Sequence, residues 1–207
     1  MSIDVFWCFF KIKETDFLTV QSEFEQATQG CPNIPEVPTL TIPQNPTIPV
    51  SEDYANSVLE CMLAARELSL QFYHDPFHSM AYRKMKQEIP LFPETFLEIV
   101  MQSRIAPPAI LLMGIGRKRF SKLPGYLGNM LIHSTEVERT LESVSHMLHV
   151  DWESYFERAK LILGYIDKTS DRAAIDVLEI LQVLPRALEK AKNEEVSLLA
   201  LTSWGCP

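Results

Sequence analysis

The side chains in this 207-residue sequence that can move protons, bind anions or hold metals fall into three clusters. The first is Gly114-Ile115-Gly116-Arg117-Lys118-Arg119, followed by Lys122, Pro124, Gly125 and Gly128. Glycines let a backbone approach a phosphate, and guanidinium groups bind oxyanions in bidentate fashion. An anion site built on Arg117, Lys118, Arg119 and Lys122 follows from that chemistry. A dinucleotide fingerprint does not. The third glycine position holds Arg119, and neither a βαβ frame nor an acidic ribose partner accompanies Gly114-x-Gly116.

The second cluster is His74-Asp75-Pro76-Phe77-His78. An aspartate beside a histidine can orient an imidazole for proton transfer. Pro76 ends a helix between the two histidines, so they need not share a face. The third cluster is Glu142, His146 and His149. At 100° per residue these side chains and Glu138 gather on one helical face, opposite Val137, Leu141, Val144 and Leu148. Two imidazoles and a carboxylate suit zinc or another divalent ion, but the spacing matches no zinc or di-iron motif. The plain reading of the three is a solvated turn, a helix-ending loop and a solvated helix face. His133 stands alone.

Nucleophile signatures are lacking. No Gly-x-Ser-x-Gly elbow occurs. Cys8, Cys31, Cys61 and Cys206 are widely spaced, without a C-x-x-C pair. That usage fits reduced thiols of the cytosol, although Cys8 and Cys206 would approach if the terminal strands paired. No motif calls for a cofactor. The net charge of −8 disfavours phosphate backbones and suits a basic protein partner. The apolar run Val5–Phe10 is far shorter than the roughly 20 residues that cross a bilayer, so neither nucleic acid nor membrane is expected as a partner. Oligomeric state is left open. The functional expectation is a non-catalytic, protein-binding protein of the cytosol, an acidic immunity- or inhibitor-type protein that sequesters a basic partner. The alternative is an enzyme or small-molecule sensor with its anion site near Arg117, Arg119 and Lys122.

The elements that must position these groups read as α+β and predominantly helical, with about seven or eight helices and a small sheet formed by the two terminal strands. Residues 3–12 and 196–204 are the strands. Helices are expected at 15–28, from Ser51 to about Tyr73, after Asp75, from Pro93 through Met101, and over 109–115. Three more follow: one after a Thr135-x-x-Glu138 capping box, one capped by Asp151 with Trp152 and Tyr155 facing inward, and one from Asp171 that Pro185 kinks or splits. The glycine-rich basic stretch is expected to be irregular. Prolines at 32, 35, 38, 43, 46 and 49 give 32–49 the three-residue period of polyproline II. At roughly 3.1 Å per residue such an arm spans about 56 Å, enough to strap the body of a single domain of residues 1–207.

Overall fold

The computed structural model describes residues 4–29, 96–103, 105–166 and 173–204. The arm at 32–49, the helices expected between Ser51 and Pro90, the cluster His74–Asp75–His78, and Cys31, Cys61 and Cys206 lie outside the described residues.

Asp4–Ile12 form strand β1. Its side chains are apolar at nearly every position, so it needs cover on both faces. Glu14–Gln29 form helix α1, which covers one of them. Phe6, Cys8, Phe10 and Ile12 point to that face and meet Phe17, Val20 and Phe24. Burial pushes the Cys8 thiol up, which keeps it a small hydrophobe rather than a nucleophile. Val5, Trp7 and Phe9 point to the other face, into the larger core.

Phe96–Ser103 form β2, Met130–Ile132 form β3 and Ser197–Trp204 form β4. The sheet order is β2-β1-β4-β3, and each neighbouring pair is antiparallel. The terminal strands pair as expected, Trp7 opposite Thr202 and Phe10 opposite Leu199. The helix expected through Met101 is instead β2. A short apolar run carries no decisive period, and the unpaired edge of β1 recruits it as a strand. One bulge interrupts that pairing: Phe9 opposes Glu98 and Phe10 opposes Phe96, so Leu97 is the extra residue. The Lys190 ammonium donates to the Leu97 carbonyl at 3.1 Å and pairs with Glu98 at 2.7 Å, latching the last helix onto the bulge.

Pro107–Ile115 form α2, Arg117–Phe120 form α3, Ser134–Leu148 form α4, Trp152–Ile166 form α5 and Ala173–Glu194 form α6. Six helices thus stand among the described residues. All residues of α2 are buried, and it packs on α5 and α6. Gly114 explains how closely. A Cβ there would lie 2.1 Å from Tyr155 Cε2, so only glycine allows the two helices to meet. The Tyr155 hydroxyl donates to the Val177 carbonyl of α6 at 3.2 Å, joining three helices. Burial pushes the Tyr155 phenol up, which holds it protonated as a donor. Gly116 has φ of 81° and closes α2 with its N–H on the Leu112 carbonyl. Both glycines of Gly114-x-Gly116 therefore serve packing and chain reversal.

The basic stretch is less irregular than expected, since Arg117–Phe120 make a helical turn before the chain enters β3. The α4 cap is also not the capping box of Thr135 and Glu138. His133 is the cap, two residues earlier. Trp152, expected to face inward, is 38% exposed and rests on Tyr155 and Phe156 at the rim. Asp151 does cap α5, accepting the Ser154 N–H at 2.9 Å. Pro185 does not divide α6. The helix runs through it, and the proline leaves the Leu181 carbonyl without its regular amide donor.

Two predictions follow from this packing. Gly114→Ala forces the Tyr155 ring to move, and overpacking of this kind costs about 1–3 kcal/mol, read as a lower urea midpoint at unchanged slope. Hydrogen bonding by Ser154 holds the Asp151 carboxyl below its ordinary value of 3.8. A depressed carboxylate stabilises the fold above that value and ceases to as pH falls through the folded-state value. Asp151→Ala therefore lowers the thermal midpoint at pH 7, and the gap to the parent protein closes in acid. A gap that persists unchanged to the lowest pH would show that the charge does not act at the cap.

Candidate functional site

The basic stretch and the histidine face lie within the described residues; His74, Asp75 and His78 do not. Lys118, Arg119 and Lys122 are exposed and Arg117 is half-buried, spread along one helical turn and the turn after it. A four-residue helix offers no aligned set of free amides to an anion. Arg119 Nη1 instead reaches the His149 carbonyl at 3.5 Å, at the C-terminus of α4, where a cation offsets the helix dipole. Arg119 and His149 are thus neighbours through the His149 backbone carbonyl.

Glu142 and His146 lie on the exposed side of α4, and His149 is its C-cap with ψ of 85°, outside the helical register. Among the described residues, no group of three or more His, Cys, Asp and Glu side chains is placed to hold a metal ion. The nearby Glu138 carboxylate engages Lys192 at 2.6 Å, which holds Glu138 below the usual carboxylate range.

The structure also assembles a group that no spacing in the chain revealed. The lone His133 sits between Glu14 and Thr135. Its Nε2 is 2.9 Å from Glu14 Oε1, and its Nδ1 is 2.8 Å from Thr135 Oγ1. The Thr135 N–H also donates to Nδ1, at 3.3 Å. An Nδ1 that accepts from this amide places the ring proton on Nε2, where it donates to Glu14. Phe17 meets the imidazole edge-on, with centroids 4.5 Å apart. Carboxylate, imidazole and hydroxyl in line is the order of a hydrolytic relay.

The surrounding amides oppose that use. Acyl transfer needs free N–H groups aimed at the developing oxyanion. The Ser134 N–H donates to Ser197 Oγ at 2.9 Å, Thr135 to His133 Nδ1, and Glu136 to the His133 carbonyl at 2.9 Å. The first three amides of α4 are all engaged. The relay is an interlocked cap that ties the start of α1 to the start of α4. A pattern search could find only Thr135 two residues from His133, because Glu14 is 119 residues away.

Beside this cap lies an open groove of about 390 Å³. One wall is α1, through Phe17, Gln21, Phe24, Glu25 and Thr28; the other is Gly125, Tyr126, Leu131 and Glu136. A second groove of about 330 Å³ runs between α4 and α6, past Leu148, His149, Pro185 and Arg186. No helix of the described residues is long and apolar enough to cross a membrane.

The cap reading has a direct check. His133→Ala removes the acceptor of the first turn of α4 and should cost about 0.5–2 kcal/mol. Hydrogen exchange should quicken at Thr135 and Glu136, and a fluorophosphonate probe should leave Thr135 unlabelled in the parent protein. Stoichiometric labelling of Thr135 would restore the hydrolytic reading.

Comparison with known proteins brings no further guide: no protein-family model, no curated protein and no solved structure matches the chain.

Proposed function

We propose that this is a non-catalytic protein-binding protein of the cytosol, of the immunity or inhibitor type, whose partner is basic. The observation that carries the reading is the row of α1 that flanks its buried face and borders the groove. Glu14, Leu18, Gln21, Glu25 and Thr28 recur at helical spacing and so lie along one ridge. Leu18 is 76% exposed, the most exposed of the large hydrophobic side chains described. Two carboxylates, Glu14 and Glu25, share that row; Asp16 and Glu23 lie on the far side of the helix, and α1 contains no lysine or arginine. An apolar knob in an acidic ridge has the composition of a contact face: the leucine contributes burial, and the carboxylates steer and select a cationic surface. The net charge of −8 extends the same field over the rest of the chain. The alternative, an enzyme or sensor with an anion site at Arg117, Arg119 and Lys122, draws support from nothing beyond their charge.

The test is affinity capture from the native source at near-native expression, comparing the parent protein with Leu18→Arg. A side chain this exposed can be changed with little effect on stability, within roughly 0.5 kcal/mol. The parent should retain a basic protein, in amounts that fall as salt rises, and Leu18→Arg should not. Capture of the same protein by both, or of none, would overturn the reading.

A further inference from the structure

The groove beside α1 has a composition more specific than the ridge above it. Three of its lining residues are aromatic (Phe17, Phe24 and Tyr126) and two are carboxylates (Glu25 and Glu136). The carboxylates stand on opposite walls, Glu25 on α1 and Glu136 in the first turn of α4, and both side chains are exposed. Leu131 adds aliphatic surface between them. Aromatic rings attract a cation through their quadrupole, apolar surface receives the methylene stem of a long basic side chain, and carboxylates pair with its head. The Glu25 carboxylate already accepts from Gln21 Nε2 at 2.8 Å; an anionic ligand would be repelled by both glutamates. The volume, about 390 Å³, is at the low end of what takes a small molecule and suits one or two inserted side chains.

The adjoining chain offers no such group nearby: residues 32–49 contain Glu36 and neither lysine nor arginine. We propose that this groove is where the basic partner docks, and that it receives an arginine side chain from an exposed cationic segment of that protein, with the guanidinium between Glu25 and Glu136 and the stem over Tyr126 and Leu131, the half-buried ring and aliphatic side chain of the lining. The inference rests on the protein-binding reading above and names the chemistry of its contact. Arginine is favoured over lysine because a planar guanidinium both stacks on rings and bridges two carboxylates.

The probe is a peptide of alternating arginine and leucine, titrated into the isotopically labelled protein at physiological ionic strength, beside the same peptide with uncharged citrulline for arginine. Saturable binding of the arginine peptide alone is expected, with amide shifts at Gln21, Thr28, Gly125 and Leu131. The double variant Glu25→Gln/Glu136→Gln should weaken it about tenfold, equivalent to roughly 1.4 kcal/mol. Asp16→Asn, on α1 but outside the groove, should weaken it far less. Equal losses in the two variants would mean diffuse attraction and would overturn the groove. So would free arginine binding as tightly as the peptide, which would make this a small-cation site. Zero-length carbodiimide coupling of Glu25 or Glu136 to Lys84 or Lys86 of the same chain would assign the groove to the protein itself and also overturn the proposal. The two readings fail separately. A basic protein captured equally by parent and double variant leaves the function standing and removes the groove. Peptide binding mapped to the groove without any captured partner does the reverse.

Discussion

The strand Asp4–Ile12 carries the constraint on which the described fold depends: apolar side chains on both of its faces. A solvated face would leave either Trp7 and Phe9 or Phe6 and Phe10 in water. Each such side chain is worth about 1.5–3 kcal/mol when buried. β1 therefore lies inside the sheet, with β2 and β4 on its edges and helices on both sides. The indole of Trp7 adds a directional demand. Its Nε1–H is buried and needs an acceptor, which the Gly128 carbonyl supplies at 2.8 Å. A Cβ on Gly128 would lie 2.4 Å from the Pro108 ring, so the glycine is what lets that turn reach the indole.

The turn fixed by Trp7 then determines what surrounds the groove. Asn129 is buried; its Oδ1 accepts the Thr202 N–H at 2.8 Å, which attaches the turn to β4. The backbone pair between Tyr126 and Asn129 leads directly into β3, and β3 leads to the His133 cap. On the other side, Phe17, Val20 and Phe24 anchor α1 to the sheet, and the row beside them, Gln21, Glu25 and Thr28, is turned toward the groove. The wall that carries Glu136 and the wall that carries Glu25 are thus both consequences of covering β1. The link between Glu14 and His133 sets their separation at one end. The acidic character of the ridge costs the fold little, because exposed like charges several residues apart are screened by salt and water. It is available for recognition for the same reason.

Much of the architecture was legible in the chain because its signal is local. The strand at 4–12, the buried stripes of α1, α4 and α6, and the Asp151 cap all follow from side-chain period or from a capping residue beside its helix. The misreadings share one cause. β2 has no clear period of its own and becomes a strand because β1 offers an unpaired edge. His133 replaces Thr135 as cap because its ring is also held by Glu14 and Phe17, neither of which is near it in sequence. Trp152 lies at the rim because Tyr155 already fills the space between α2 and α6.

The site divides along the same line. The acidity of the chain and the wide spacing of its thiols could be read along it, since composition and spacing are properties of contiguous residues. The sequence also supplied the basic loop and the histidine face, but their residue types alone could not show that Arg119 meets a carbonyl or that His149 leaves the helical register. That residues 17–28 and 125–136 face each other across a groove, and that Glu14 clasps His133, came from long-range packing alone. Those contacts join segments 97 or more residues apart, and pairing at that distance is set by how a doubly buried strand is covered, not by any pattern along the chain.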